Sequence, residues 1–335
     1  MAFTVSLPEL YRSIDVAWDD AIQKTQFIAK AKAAQILLQN QTAKIDGSDL
    51  IQGAGSRAKV RTVRVHWLDA CSVTTGAETD ECLAATVELT DNKEDYALTG
   101  TRESSFKTSW KVHRVVPHEM NETIATGILK ASKELDEYLS AQYFAFLAAN
   151  NGTHEYSPAI GSLGAGDVWE IPAVDLTVDI MPEMILSAEF ARFNNAYMLH
   201  GLNLFTTRFK AGQYAANGEG KGENNLFDVL PMFWDPVGAS AASAADSSWL
   251  VNASSVALAT GNFYDMTPVD FGGQHRMFKI ASRNLPGVFY DVHEMETCTS
   301  DDMVVSYKLN TNFEFLLNPL GCTATRTGIL EFAKV

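Results

Sequence analysis

From Asn121 to Gly152 (NETIATGILKASKELDEYLSAQYFAFLAANNG) the apolar residues Ile124, Ile128, Ala131, Leu135, Leu139, Tyr143 and Leu147 recur in steps of three and four. Such spacing stacks side chains on one face of a helix. Asn121 can cap the first turn, Glu122 suits the positive end of the helix dipole, and Asn150-Asn151-Gly152 is a stop signal. About 30 residues at a rise of roughly 1.5 Å predict a rod of about 45 Å, long for a globular helix. Lys130, Lys133, Glu134, Asp136 and Glu137 form its expected wet face, and Gly127 marks close packing or a slight bend.

A second amphipathic stripe, Leu10, Ile14, Trp18, Ile22, Phe27, Ala31, Ala34 and Leu38, predicts helix over residues 7–41. Ser6 can cap it and Pro8 suits its first turn. It precedes every core-forming strand, so its apolar face must lie on the main body or on another subunit. Residues 46–56 read as a linker. Lys59 to Leu68 alternates Val60, Val63, Val65 and Trp67 with Arg61, Arg64 and His66, a strand with one basic face. A polar stretch follows, broken by the apolar patch Ala84 to Leu89. Tyr96 to Val116 alternates again, with Phe106, Trp110, Val112 and Val115 as strand residues. Two extended arms around a polar excursion predict a projecting β-hairpin.

Beyond the rod, a helix is expected from Asp179 or Met181 to Ala191, and strand and turn from Tyr197 to Phe209. Residues 213–225 (QYAANGEGKGENN) and 239–248 (ASAASAADSS) are small and polar. Trp249 to Ala259 is open between strand and short helix. The remainder from Phe278 is β-rich, and Met303 to Leu317 alternates for longer than a usual strand, which predicts a bend or a strand pair.

The chain has 335 residues, 46% hydrophobic and 20% charged, enough to bury a sizeable core. Its net charge is -15, unevenly placed: residues 1–64 carry nine Lys/Arg against six Asp/Glu, leaving -18 for the rest. An acidic body argues against general nucleic-acid binding, where affinity comes from neutralised phosphates. A basic leading segment could instead grip an acidic neighbour. No run of 18 apolar residues occurs, so no membrane span is expected. The N-terminus lacks a basic cluster ahead of an apolar core, so no signal peptide is expected and the chain is placed in a cytoplasm during folding. Cys71, Cys82, Cys298 and Cys322 lack zinc-site spacing and read as free thiols, with a Cys71–Cys82 bridge across the hairpin as the alternative.

Catalytic signatures are missing. The chain has no GxGxxG after a strand, no GxSxG and no HExxH. GEGKGE at Gly218 to Glu223 has the glycines and lysine of a phosphate loop without its Lys-Ser/Thr ending, and reads as a solvated loop. His293 could join Asp291, Glu294 and Glu296 at a metal, but strand alternation puts Glu294 on the face opposite His293 and Asp291. No cofactor, metal or catalytic group is expected.

The stretch RESSFKTSWKVHR (Arg102 to Arg114) leading into the Asn121 rod resembles the return strand of an extended loop feeding a spine helix, and VNASSVALATGNFY (Val251 to Tyr264) resembles an axial-domain segment. With the N-terminal arm and the closing strands, the order of elements resembles the major capsid protein fold of tailed bacteriophages, shared with encapsulins and the herpesvirus capsid floor. The resemblance implies an α+β fold with an N-terminal arm (1–52), an extended β-hairpin loop (53–108), a peripheral domain (109–172 and 301–335) built on a spine helix at 121–151, and an axial domain (173–300). It implies a structural protein and no enzyme: hexamers and pentamers of one chain forming an icosahedral or prolate shell around double-stranded DNA. Such a shell belongs to the virion and is assembled in the host cytoplasm. Its partners are copies of itself, with scaffolding, portal or decoration proteins as further candidates, DNA touched non-specifically at most, and no membrane. Too few residues precede the first strand for the cleaved scaffolding segment of some members.

On that reading Trp18, Phe27, Arg57, Lys59, Arg61, Arg64 and Trp67, with the Val60/Val63/Val65 face, are expected at contacts between subunits. Removing residues 1–50 is then expected to leave a folded body that cannot assemble. Two alternatives differ in class. One is an encapsulin-like compartment with an enzyme as cargo, which genome neighbours would reveal. The other is an α/β enzyme with a pocket around His275, Arg276 and Asp291.

Overall fold

The computed structural model describes residues 6–41, 44–46, 61–68, 91–109, 117–177, 180–193, 195–200, 230–236, 246–262, 269–270, 274–298, 302–318 and 327–335. Arg57, Lys59, Val60, Trp110, Cys71, Cys82, Cys322, the apolar patch Ala84 to Leu89 and the glycine-rich stretch 213–225 lie outside these residues.

Three helices open the chain: α1 Leu7–Asp19, α2 Ala21–Phe27 and α3 Lys32–Asn40. The single helix predicted over 7–41 is thus broken twice. At the first break the backbone of Asp20 turns extended, with ψ 111°. Asp19 and Asp20 put two negative charges at a helix end where the dipole is already negative. The second break covers residues 28–31.

Strands β1 Lys44–Asp46, β2 Arg61–Leu68 and β3 Asp91–Leu98 form an antiparallel sheet in that order. The predicted hairpin is therefore present, with Val63 facing Tyr96 and Val65 facing Glu94. One residue further on, β4 Gly100–Ser109 leaves for another sheet, so the second predicted arm is two strands. Then comes α4, Pro117–Ala149, 33 residues and about 50 Å long. It starts four residues ahead of the predicted cap: Pro117 takes the first helical position, which suits proline, and Asn121 lies inside the helix.

The remaining elements are β5 Ser162–Leu163, β6 Trp169–Ile171, a 3-10 turn Ala173–Asp175, helix α5 Ile180–Phe190, β7 Ala196–His200, β8 Met232–Trp234, β9 Ser247–Asn252, β10 Val256–Gly261, β11 Val269–Asp270, β12 His275–Ala281, β13 Phe289–Cys298, β14 Met303–Leu317 and β15 Ile329–Lys334. Helix α5 falls within the span expected for it, from Asp179 or Met181 to Ala191, and the undecided stretch from Trp249 resolves as the two strands β9 and β10.

The first six-stranded sheet is organised by β14, one unbroken strand of 15 residues and about 50 Å. Along one edge β13 pairs with Met303 to Asn310 and β10 with Asn312 to Leu317, end to end. Along the other, β4 pairs with Val304 to Phe313. Asn262 closes the junction by donating to the Phe289 carbonyl at 2.9 Å. The second sheet runs β5-β6-β15-β9-β7-β8, with parallel pairs β6/β15 and β7/β8. These sheets cut across the division expected at residue 300. Strands β10 to β13 join β14, whereas β15 leaves β14 for the other sheet.

Helix α4 lies against both sheets. It rests on β4 and β14 along much of its length: Phe106 lies against Gly127, Arg102 sits 4.8 Å over the Tyr138 ring, and Tyr143 stacks on Phe315 at 5.6 Å. Near its C-terminal end Phe144 meets Trp249 of β9 at 5.4 Å, and the hydroxyls of Tyr143 and Tyr197 hydrogen-bond at 2.6 Å. The expected stripe is buried throughout, and so is a second row, Ala125, Leu129, Ser132, Asp136, Ser140 and Phe144. That second row is covered by the N-terminal helices, which contribute Leu10, Ile14, Phe27, Ala31, Ile36 and Leu37 to the same core.

Candidate assembly surfaces

The N-terminal segment is held on its own chain. Tyr11 donates to the Lys279 carbonyl at 3.1 Å, Arg283 pairs with Asp15, and Gln41 accepts from the Leu258 amide at 3.0 Å. Phe27 is 1% exposed within the main core, so it is not available to a neighbour; the expectation of an intersubunit contact there is corrected. Trp18 is partly buried against the same core with the Lys24 ammonium 5.2 Å from its ring. What this segment does present outward is Val16 and Ile28, 63% and 48% exposed.

The hairpin carries a similar correction. Val63 and Val65 pack with Leu98 onto Ala257, Ala259 and Leu316, on the face of the β14 sheet opposite α4. The apolar side of β2 is therefore spent inside the subunit, because the small residues of β10 let the hairpin approach closely. Arg61, Arg64 and Trp67 occupy β2 opposite Leu98, Asp95 and Asn92; their side chains fall outside the described residues.

Elsewhere, α5 is apolar on more than one side. Ile180, Met184 and Ala188 pack on the second sheet with Trp169, Leu250 and Phe332. On its outer side Leu186 and Phe190, one turn apart, are 41% and 55% exposed. A helix apolar all round is ordinarily covered all round.

The pocket expected around His275, Arg276 and Asp291 does not bring those three side chains together. The rings of His275 and His293 stack at 5.8 Å on the open face of the β14 sheet, in a groove of about 630 Å³ that Met295, Lys107 and Lys308 also line. Burial and the neighbouring His275 and Lys308 push the His293 pKa down. Arg276 points to the other face, where it donates to Glu294 at 2.7 Å, and Tyr307 donates to the second oxygen of that carboxylate at 2.8 Å. Burial raises the Glu294 pKa against the lowering effect of Arg276. This is a structural triad under α4, with its three members 6%, 0% and 1% exposed. Among the described residues no three His, Cys, Asp or Glu side chains converge on a metal position, and no helix is long and apolar enough to cross a membrane.

The sequence reading missed a polar set on α4. Asp136, expected on the wet face, is fully buried and accepts from Ser282 at 2.8 Å, from Asn284 at 2.9 Å and from Tyr290. Lys133 donates to the Gln26 carbonyl at 3.0 Å, and Glu137 accepts from the Lys30 amide at 3.1 Å. Polar spacing alone cannot distinguish water from a second layer of backbone.

No protein-family model and no curated protein matches the chain. Solved phage structures are similar to it. The bacteriophage PhiM1 mature capsid gives TM-score 0.44 at 8% identity, covering 82% of each chain. The capsid structure of the cyanophage P-SCSP1u gives 0.42 at 11% identity, covering 84% of each. A chain from Mycobacterium phage Che8 gives 0.42 at 12% identity over 87% of this chain and 92% of that one. All three TM-scores lie below 0.5, a likeness of outline, and the function is inferred from the chain's own elements.

Proposed function

We propose that this chain is a major capsid protein: a structural subunit whose copies form hexamers and pentamers that close into a phage shell around double-stranded DNA. The observation that carries the reading is α4, a helix of 33 residues laid along a 15-residue strand and reaching both sheets, with a hairpin rooted beside it. A shell subunit must cover area with little material, and a stiff rod spanning two sheets gives each tile its width. The acidic net charge keeps unassembled copies apart and soluble, leaving association to specific edges.

On this reading the contacts between copies use what the fold leaves uncovered. Among the described side chains these are Val16 and Ile28 on the N-terminal segment and Leu186 and Phe190 on α5; to them we add, from the sequence, the basic residues Arg57, Lys59, Arg61 and Arg64 with Trp67. The particle belongs in the virion after assembly in the host cytoplasm, with scaffolding, portal or decoration proteins as partners and DNA touched without sequence preference. Electron microscopy and light scattering of the purified chain test the reading. Closed shells or capsomers are the expected result, alone or with a co-expressed scaffold. A monomer that persists across salt and concentration in both settings overturns it.

A further inference from the structure

The break between α2 and α3 exposes backbone groups that a continuous helix would satisfy internally, and six of them, from Gln26 to Ala34, are met by side chains from elsewhere in the fold. Asn284, in the turn between β12 and β13, accepts from the Ala29 amide at 3.0 Å and donates to the Phe27 carbonyl at 3.2 Å. Its other amide hydrogen goes to Asp136 at 2.9 Å. The Ala33 amide donates to Asp235 at 2.8 Å, and Ser140, one helical turn beyond Asp136, donates to the same Asp235 oxygen at 2.5 Å. Asn284 is thus a peg with both of its amide N–H donors and its oxygen engaged, and Asp136 is what holds the peg.

We propose that this joint is a proton-linked clasp, in which neutral Asp136 holds the N-terminal helices on the spine and ionised Asp136 loosens them. The groups facing Asp136 explain the linkage. From β13 comes Tyr290; from the turn come Ser282 and Asn284, both neutral, while Arg283 is engaged with Asp15 at the surface. From the N-terminal joint the Lys30 backbone amide binds Glu137, and the Ala29 amide and Phe27 carbonyl meet Asn284. On α4 itself Glu137, of like sign, raises the pKa further, and Lys133, one turn before Asp136, sends its ammonium to the Gln26 carbonyl. No cation therefore compensates the buried carboxylate, and desolvation moves its pKa up to about 6 despite three donors. When protonated, its hydroxyl can donate to Tyr290, whose hydroxyl can rotate to accept, whereas the Ser282 oxygen already accepts from the Asn284 and Leu285 amides. The clasp rests on this internal geometry and is independent of shell formation.

An acid with a raised folded pKa favours the closed form at low pH and loses that preference as pH rises through the folded value. With a solvated value of 3.8 and a clasped one of about 6, opening of the joint rises roughly tenfold between pH 5 and pH 7. Hydrogen–deuterium exchange of the full-length chain reads this directly at the Ala29 and Lys30 amides, after correction for intrinsic exchange. Protection falls roughly tenfold over that range in the wild type and stays flat in Asp136→Asn. Asn284→Ala lowers protection at both pH values. The same slope in wild type and Asp136→Asn, or wild-type protection in Asn284→Ala, overturns the proposal. Should Asp136→Asn not fold, Ser282→Ala and Tyr290→Phe keep the acid with one donor fewer and move the midpoint upward; an unmoved midpoint is equally fatal.

Discussion

The ring of Phe106 lies directly on Gly127: a Cβ placed on that glycine would stand 2.4 Å from Cε2 of the phenylalanine. Behind the contact Phe106 stacks on Tyr307 with centroids 5.2 Å apart. This is how β4 seats on α4, and it accounts for a glycine that helix propensity alone disfavours by about 1 kcal/mol relative to alanine.

Gly127→Ala is therefore expected to destabilise the chain by about 1–3 kcal/mol through overpacking, the opposite sign to its helix propensity. Urea denaturation measures it. Adding Phe106→Leu should recover part of the loss, since the double variant has space where the single one clashes; a stabilised single variant would refute the seating.

Breaking the triad beneath α4 should cost more. Glu294→Ala removes the carboxylate that both Arg276 and Tyr307 bind, and breaking a buried ion pair typically costs about 3–5 kcal/mol, whereas Tyr307→Phe removes one hydrogen bond to a charged group, about 1.5–3 kcal/mol. Thermal denaturation should rank the two in that order.

His154 provides a second titration of opposite sign. It is buried between Trp169 and Phe332, with Nε2 3.0 Å from the Glu331 carbonyl. Burial holds its pKa below the ordinary value, only partly opposed by that hydrogen bond. Its contribution is thus fully present above about pH 6.5 and is lost as pH falls through the folded value. His154→Phe should flatten the acid side of the melting-temperature profile between pH 7.5 and pH 5. An unchanged profile would place the acid sensitivity elsewhere.

Removal of residues 1–41 tests whether the N-terminal segment is arm or core. Since it supplies Leu10, Ile14, Phe27, Ile36 and Leu37 to the main cluster, the truncated chain should aggregate or bind a hydrophobic dye instead of yielding a folded body. A cooperative melt in the truncated chain would restore the detachable arm.

The outer face of α5 offers the corresponding test of assembly. Leu186→Ser with Phe190→Ser removes exposed apolar surface, so the melting temperature of the unassembled chain should move by less than about 0.5 kcal/mol equivalent. Shell yield by electron microscopy should fall. Unimpaired shells would remove this face from the contacts.

Much of the fold was legible because periodicity is local. The stripe from Ile124 to Leu147, the alternation of β2 and the helix near Met181 each follow from spacing within one element. What spacing could not give is which layers cover an element. Asp136, Lys133 and Glu137 look like a solvated face in sequence, yet they meet the backbone of residues 26–30 and the turn after β12. Val63 and Val65 read equally well as an intersubunit face until Ala257 and Ala259 are found beneath them. For the same reason the assembly surfaces divide unevenly: Phe27 is explained by the subunit itself, while Val16, Leu186 and Phe190 become visible only once their neighbours are placed.

The long strand β14 also sets a timetable. Its partners β4, β10 and β13 all take their register from residues 303–317, and β4 lies some two hundred positions earlier in the chain. Pairings so distant are slow to form. During synthesis the spine helix emerges long before the strand that β4 must pair with. Its aromatic face, Tyr138, Tyr143 and Phe146, then has no Phe313 or Phe315 to rest on until those residues are made, about 170 positions later. The nascent chain should therefore be a chaperone client until β14 is made, and a ribosome stalled before residue 303 should hold a protease-sensitive β4 that one stalled after release of β14 does not.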